Sequence, residues 1–398
     1  MRLLVTAERI WTGNEGHIIE DGAVLVDEGT ITAVGPRTEL AESAIGAERY
    51  DFPGHTLLPG LINAHVHLSF DAGEEPINTL LATEDHELLD GMAERARDSL
   101  DAGTTTVRDL GDRNGAAIRI RDAVARSEIA GPRVLAAGPP LTVREGHCWF
   151  LGGEVEREED SLRRAVAHRA ELGADVVKVM ASGGQITPNS PAMWQSQFDA
   201  AELRIIVDES RRHGLPVAAH AHGSDAIEDA VSAGVSTIEH CTWLGPDGLD
   251  EREPVIREMR QRGISVCAGQ SRNWHRLADR VGAERAQRFQ RRLRTLDEAG
   301  VDVIIGTDAG LRDSVFDDFA GALGLYEHLG FGNERILRMA TSEAAIALGI
   351  GERTGRVATG LAADLVVVRG DPLTRLGDLG EVALTVANGR PHHPSASG

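Results

Sequence analysis

The middle of the chain alternates short apolar runs of strand length with longer segments of helical periodicity. Within residues 284–298, for example, Ala286, Phe289 and Leu293 recur at the spacing of one helix face. Glycines precede most of the apolar runs, at positions where helices commonly end in a left-handed residue. The runs are Leu61–Ala64, Thr104–Arg108, Arg133–Ala137, Asp175–Met180, Pro216–Ala219, Ser236–Glu239, Ile264–Ala268 and Asp302–Gly306.

Eight strands separated by helices predict a (β/α)8 barrel, because about 250 residues or somewhat more is the usual size of that fold. A doubly wound open sheet is the alternative. No Gly-x-Gly-x-x-Gly follows the first strand, however, which disfavours the common dinucleotide-binding version of that sheet. We therefore expect an α/β protein with a TIM barrel over residues 58–353.

Both ends of the chain have the pattern of short strands separated by turns rather than of helices. Residues 1–57 and 354–398 are therefore expected to form one small β domain that flanks the barrel. The predicted strands are Arg2–Thr6, Ala23–Asp27, Thr30–Gly35, Asp364–Arg369 and Glu381–Ala387.

Candidate chemistry collects at the carboxyl ends of the central strands, where barrels carry their active sites. Any one of these residues alone has an ordinary explanation, such as a hydrogen-bonded core histidine or an aspartate that caps a helix. Together, imidazole and carboxylate groups from several strand ends indicate a site for Zn, Fe, Ni or Mn. The residues are His65 and His67 after the first strand, Lys178 in the fourth, His220 and His222 at the fifth, His240 at the sixth and Asp308 after the eighth.

Composition narrows the class of protein. The formal net charge of −21 argues against a nucleic-acid partner, which requires a basic surface. No apolar run reaches the roughly 20 residues of a membrane span, and the amino terminus lacks the pattern of a secretory signal. The three cysteines are too few and too scattered for a disulfide framework. We expect a cytoplasmic enzyme that forms a homo-oligomer and acts on a small molecule.

Lys178 is the only lysine among the 41 basic residues of the chain. Arginine cannot lose its proton in a protein, whereas a buried lysine amine can be neutral and nucleophilic. Two explanations remain open on composition alone: Lys178 persists for its chemistry, or it persists by chance.

The motifs at these positions resemble the amidohydrolase superfamily over the whole length of the chain. The similarity rests on the segments 58–67 (LPGLINAHVH), 177–184 (VKVMASGG), 220–223 (HAHG), 238–240 (IEH), 306–310 (GTDAG) and 360–367 (GLAADLVV). The resemblance implies that the terminal β domain is a β-sandwich. It also supplies a chemical reason for the lone lysine, whose amine is carboxylated by CO2 in that family.

By position, the resemblance implies two divalent metal ions, most often zinc, bridged by N6-carboxylated Lys178. One ion would be held by His65, His67 and Asp308, and the other by His220 and His240. A metal-bridging hydroxide would attack the carbonyl of an amide, and Asp308 would carry the proton to the leaving group.

The substrate is less well defined by the sequence. Residues 177–184 resemble the branch that contains Xaa-Pro dipeptidases and, more distantly, imidazolonepropionases. In that branch a Gly-His pair after the third strand contacts the substrate, which points to His147, and we also assign a substrate contact to His222. Arg312 and the segment 266–270 (VCAGQ) depart from the dipeptidase pattern, so an N-acyl or cyclic amide is also open.

Two further alternatives follow from the fold. A mononuclear deaminase or imidazolone-ring hydrolase is disfavoured by Lys178, which deaminase relatives generally lack. A non-catalytic scaffold is more remote, because all six ligand positions are filled.

Overall fold

The computed structural model describes residues 1–40 and 42–395. Strands from both ends of the chain form one seven-stranded sheet in the order β16-β15-β14-β4-β1-β2-β3. The pairing of β1 with β4 is parallel, and the other pairings in this sheet are antiparallel. Its strands are β1 (Arg2–Trp11), β2 (Ile18–Asp27), β3 (Thr30–Pro36), β4 (Glu48–Pro59), β14 (Leu365–Arg369), β15 (Val382–Ala387) and β16 (Arg390–His392).

The central strands form two sheets in which the main strands are all parallel. One sheet has the order β5-β6-β7 and the other the order β8-β9-β10-β12-β13, with β11 added as a short antiparallel partner of β10. The strands are β5 (Leu61–Val66), β6 (Thr104–Asp109), β7 (Arg133–Ala136), β8 (Val177–Met180), β9 (Val217–Gly223), β10 (Thr237–Gly245), β11 (Gly248–Leu249), β12 (Ser265–Cys267) and β13 (Val303–Ile304).

Isolated bridges connect the edges of the two parallel sheets. Val66, at the end of β5, forms a parallel bridge with Ala309, beyond β13. At the opposite edges, Leu141 forms a parallel bridge with Val179 in β8. Backbone hydrogen bonds at both seams, including one of 2.9 Å from the N–H of Ala64 to the carbonyl of Ile305, link the sheets further.

Helices separate the parallel strands along the chain. Glycines with positive φ precede strands as the sequence predicts; Gly103, Gly173 and Gly234 have φ of 75°, 83° and 83°. The helices are α1 (Arg37–Leu40), α2 (Pro76–Ala82), α3 (Asp85–Asp101), α4 (Ala116–Ala125), α5 (Glu159–Glu171), α6 (Ala200–Arg212), α7 (Ser224–Ala233), α8 (Glu253–Arg262), α9 (Leu277–Val281), α10 (Ala283–Glu298), α11 (Phe319–His328), α12 (Asn333–Met339) and α13 (Ser342–Ala347).

The largest hydrophobic core lies between the parallel strands and the helices that cover them. It includes Val179 of β8, Ile238 of β10 and Leu293 of α10, none of which is exposed. A separate core, with Leu3 and Leu365 among its members, lies within the terminal sheet. In the described part of the chain, no helix has the length and apolar composition needed to cross a bilayer.

Candidate metal centre and active site

Two histidines from β5 and one aspartate converge on a single point. The Nε2 atoms of His65 and His67 each lie 3.3 Å from the same Oδ1 atom of Asp308. This pairing follows from the alternation of a strand, because residues two apart point to the same side. The Oδ1 atom of Asp308 is buried and has no hydrogen-bond partner among the described residues.

The outer nitrogens of both rings are held by other groups. Nδ1 of His65 lies 2.9 Å from a carboxylate oxygen of Glu239, and Nδ1 of His67 lies 3.0 Å from the carbonyl oxygen of Gly111. Since a carbonyl can only accept, Nδ1 of His67 carries the proton, and a neutral ring then turns the lone pair of Nε2 toward Asp308. The Nε2 lone pairs of His65 and His67 and the unpartnered oxygen of Asp308 together suit a bound cation. The contacts of the two Nδ1 atoms are of the kind that orients histidine ligands of a metal.

A second cluster lies next to the first. Ligand atoms of His220, His222 and His240 come within 4.8 Å of one another, and so do those of His65, His240 and Asp308. His240 therefore belongs to both groups and links them. The imidazole rings of this cluster are also close to one another: the ring centroids of His220 and His240 are 4.7 Å apart.

Lys178 lies in β8 and lines the same cavity as these histidines, with 2% of its surface exposed. Burial lowers the pKa of its amine, and the nearby carboxylates of Glu239 and Asp308 oppose that shift. A lowered pKa increases the fraction of the neutral amine, which is the form that reacts with CO2. The structure thus brings Lys178 and the predicted histidines and aspartate into one site.

A buried ion-pair network supports this site, and sequence reasoning missed it. Glu239 is fully buried and accepts hydrogen bonds from Arg108 at 2.9 Å and from Thr237 at 2.6 Å, in addition to its contact with His65. Arg108 also donates to the carbonyl of Ala64, the residue before His65, at 2.8 Å. The sequence offered one signal for this network: two of the predicted apolar strands end in a charged residue, Arg108 in one and Glu239 in the other.

The charges of this network reinforce one another. Burial alone would raise the pKa of Glu239, but Arg108 and His65 hold it well below its usual range. Burial and the nearby Lys178 lower the pKa of His65 to about 4, so this ring is neutral at pH 7. Burial raises the pKa of Asp308, but the nearby positive charge of Lys178 is among the groups that lower it below the ordinary value. A neutral imidazole and an ionised carboxylate are the forms that bind a metal.

His147 lies beside the second cluster. Its ring centroid is 4.6 Å from that of His220, and its backbone N–H donates to Gln197 at 2.6 Å. The hydroxyl of Thr187 accepts a hydrogen bond from the N–H of Cys148 and lies 3.1 Å from Nδ1 of His147, to which it can donate its proton. When the hydroxyl donates in this way, the ring proton lies on Nε2, where it is available to a molecule in the cavity.

His222 stacks on His240, with ring centroids 4.6 Å apart and an angle of 18° between the planes. Its Nδ1 donates to the hydroxyl of Thr242, which itself donates to the carbonyl of His222. Nε2 of His222 then carries the lone pair. The structure therefore places His222 among the candidate ligands as well as along the cavity wall.

Two of the candidate ligands have a left-handed backbone conformation. His240 and Asp308 have φ of 67° and 58°, in the left-handed region that non-glycine residues rarely adopt. Arg292, which is 1% exposed, donates to the carbonyl of His240 and to that of Cys241, each at 3.1 Å. Gly269 leaves space for the imidazole, because a Cβ atom there would lie 2.9 Å from Nδ1 of His240.

The candidate histidines, Lys178 and Asp308 line one cavity of about 550 Å³. Its inner end carries the histidines, Lys178 and Asp308, whereas its outer part is lined by apolar side chains and by arginines. Ligand-binding cavities commonly combine this volume with a few convergent polar groups. The apolar residues are Ile186, Met193, Leu244, Leu249, Trp274, Leu277, Val281, Phe289 and Leu311, and the arginines are Arg280, Arg285 and Arg312.

Comparison with known proteins decides the family. The model of the amidohydrolase family matches residues 56–391, which span all the strand ends described above. The chain belongs to the amidohydrolase family. It is a hydrolase, as the resemblance predicts. A model of the bacterial imidazolonepropionase-like composite domain also matches residues 22–44.

Individual amidohydrolases are similar over nearly the whole chain. The ochratoxinase of Aspergillus niger is 25% identical over 397 residues, covering 90% of this chain and 79% of the relative. A Xaa-Pro dipeptidase solved with bound methionine shares the fold, with a TM-score of 0.86 at 24% identity and coverage of 99% and 100%. A prolidase in complex with N-methylphosphonate-L-proline has a TM-score of 0.84 at 26% identity, covering 99% and 100%.

Amidohydrolases are generally metal-dependent, and the buried histidine and aspartate clusters of this chain are compatible with that chemistry. The comparisons leave the metal, the bond cleaved and the substrate to be proposed.

Proposed function

We propose that this chain is a metal-dependent hydrolase that cleaves an amide bond in a small molecule, of which a dipeptide, an N-acyl amine and a cyclic amide are examples. The observation that carries the proposal is the buried, unpartnered oxygen of Asp308 between Nε2 of His65 and Nε2 of His67. The similarity to ochratoxinase and to the prolidase complex supports the same class of reaction.

The proposal includes two divalent ions, with zinc as the first choice. His65, His67 and Asp308 would hold one ion, and His220 and His240 the other. Lys178 would bridge them as a carbamate: its neutral amine forms an N–C bond with CO2 and releases one proton. The burial that lowers the pKa of this amine supports this modification. When bound, such ions lower the pKa of water to about 7 and polarise a carbonyl group.

The side chains then divide the remaining work. Asp308 would accept a proton from the attacking water through a carboxylate oxygen and deliver it to the leaving nitrogen, so that the C–N bond breaks without expulsion of an anionic amide. Nε2–H of His147 would donate a hydrogen bond to the substrate. Glu239 and Arg108 would fix the orientation of His65 from behind.

We further propose that the eight parallel strands close into a (β/α)8 barrel over residues 58–353, with a β-sandwich from residues 1–57 and 354–398, of which residues 41 and 396–398 lie outside the described residues. The bridges from Val66 to Ala309 and from Leu141 to Val179 support closure, because they join both pairs of sheet edges.

A ring-opening hydrolase of the imidazolonepropionase type is the second candidate. The match of residues 22–44 to the imidazolonepropionase-like composite domain favours it, and a cyclic amide would use the same residues. A screen that compares dipeptides, N-acyl amino acids and simple lactams with an imidazolone separates the two candidates.

Asp308→Asn tests the proposed chemistry directly. The amide can still occupy the space but cannot carry a proton, so we expect turnover to fall by a factor of about 100 or more. Asp313→Asn is the matched control, because Asp313 also lines the cavity but lies at its outer end. Near-native turnover of Asp308→Asn on the substrate found in the screen would refute the proton-transfer role.

A further inference from the structure

The mouth of the cavity is basic in a protein that is otherwise acidic. The whole chain has a formal charge of −21, yet residues 272–294 contain eight arginines and only two acidic residues. This segment follows β12 and includes α9 and α10. A cluster of one sign against an opposite background creates a local field at the place where a ligand enters.

Two of these arginines face the cavity without a counter-charge. Arg280 in α9 and Arg285 in α10 both line it, and within the described residues neither guanidinium has a carboxylate within ion-pair distance. Three other arginines of the segment have an ion-pair partner: Arg272 pairs with Asp318 at 3.3 Å, Arg276 with Asp313 at 3.8 Å and Arg294 with Glu298 at 3.0 Å.

The remaining charges at the mouth are already compensated. Arg312, the third arginine of the cavity, pairs with Glu74 at 3.2 Å and approaches Asp313 at 4.0 Å. Asp313 is the only carboxylate of the outer cavity wall in the described chain, and Arg276 and Arg312 both approach it. Two positive charges, those of Arg280 and Arg285, are therefore left to face a ligand.

Apolar side chains of the same segment line the cavity together with these two arginines. Trp274 and Phe289 are partly buried, and Phe289 lies one helical turn after Arg285 in α10. A flat apolar surface beside a guanidinium group fits a ligand with an aromatic or apolar body that ends in a carboxylate, because the planar fork of arginine matches the two oxygens of that group.

We propose that Arg280 and Arg285 form an anion subsite, which makes the enzyme selective for amides with a carboxylate remote from the bond that is cleaved. This inference rests on the proposed function, because the subsite belongs to the same cavity. It is separate from the contact assigned to His147, which lies at the inner end beside His220.

A pair of probes that differ only in charge tests the subsite. 4-Acetamidobenzoate carries a carboxylate across the ring from its amide, and 4-acetamidobenzamide is its neutral counterpart of nearly the same shape. Hydrolysis of either anilide adds water across the C–N bond and releases acetate and the aryl amine. The metal-replete wild type is compared with the R280Q/R285Q double variant. R288Q is the matched control, since Arg288 is an exposed residue of α10 that does not line this cavity.

We expect R280Q/R285Q to lower kcat/KM for the benzoate by about tenfold or more, while kcat/KM for the benzamide changes less than about twofold. R288Q should leave the ratio of the two rates unchanged. Raising the salt concentration should weaken the preference of the wild type for the anion and leave that of the double variant unaffected.

Calorimetry separates this proposal from the hydrolase proposal. In an Asp308→Asn background, where turnover is not needed, the benzoate should bind about tenfold more tightly than the benzamide, and the preference should vanish with R280Q/R285Q. Absence of hydrolysis by the wild type, combined with a retained binding preference, would count against the proposed reaction and support the subsite. Equal affinities, including no binding of either probe, would overturn the subsite.

Discussion

The amine of Lys178 can become neutral and react with CO2, which the guanidinium group of an arginine cannot do. Lys178→Arg preserves the positive charge and nearly the length of the residue. We nevertheless expect metal content and activity to be lost, because a permanent cation would lie where the bridging carbamate is proposed. Metal analysis and turnover of the purified variant measure both effects.

Rescue distinguishes a missing bridge from a damaged fold. Lys178→Ala should also be inactive, and addition of a small carboxylic acid should restore part of the activity by supplying a carboxylate. An active, metal-loaded Lys178→Arg enzyme would refute the carbamate and, with it, most of the support for two ions.

His147 permits a second test at the scale of single residues. His147→Ala should reduce kcat/KM by about tenfold or more with unchanged metal content, because it removes a donor to the substrate and no proposed ligand. His86→Ala, at an exposed position of α3, is the control. Loss of metal in the His147 variant would instead show that this ring belongs to the metal centre.

The candidate ligands could be predicted from sequence because each lies at the end of an apolar run with its own motif. The residues that orient them could not be found in the same way. Glu239 contacts His65 across 174 positions of the chain, and Arg108 contacts Glu239 across 131. These pairs come together only in the folded chain, and a glutamate or an arginine in a sequence does not show which residue it will contact.

At the scale of elements, α10 holds the middle of β10 through Arg292. This side chain supplies hydrogen bonds to the backbone of His240 and Cys241, and its guanidinium lies 4.0 Å from the centroid of Phe289. Arg292→Met keeps much of the volume but leaves both carbonyls unpaired, each at a cost of about 1–3 kcal/mol.

We therefore expect Arg292→Met to lower the free energy of unfolding by about 2–5 kcal/mol and to weaken metal binding through His240. Urea unfolding of the metal-free protein and metal titration of the folded protein measure the two effects separately. Arg291→Met, at the exposed neighbouring position, should change neither. Unaltered metal affinity in a destabilised Arg292 variant would restrict this residue to a structural role.

Most strands coincide with the predicted runs, but the ends near the site do not. The eighth run predicts a strand over 302–306, whereas β13 covers only Val303–Ile304, because the chain turns toward the left-handed Asp308. β10 continues to Gly245, well beyond the predicted Glu239, where it pairs with β11. Strand β4 was not predicted, because polar residues in its first half hide the apolar pattern of Leu57 and Leu58.

At the scale of the whole molecule, the metal ions should contribute to stability as well as to catalysis. Six proposed ligands are too many for one tetrahedral zinc ion, so we expect close to two ions per chain in metal-replete protein. A ligand that binds only the folded state stabilises it by about 2.7 kcal/mol at 100 times its Kd. Elemental analysis and thermal unfolding before and after chelation test both statements.

Lys178→Ala is the control for the chelation experiment. Its melting temperature should respond less to chelation than that of the wild type, because the proposed bridge is missing. One ion per chain in the wild type, or a melting temperature that chelation does not change, would contradict the binuclear centre.

The left-handed backbone at His240 and Asp308 carries a cost in stability. Left-handed conformations cost non-glycine residues about 1–2 kcal/mol each. Glycine would remove this backbone cost, but it would also remove a proposed ligand and the buried contacts of each side chain, such as the stacking of His240 on His222. The side-chain contacts of these two residues, together with metal binding, therefore have to hold the backbone in this conformation.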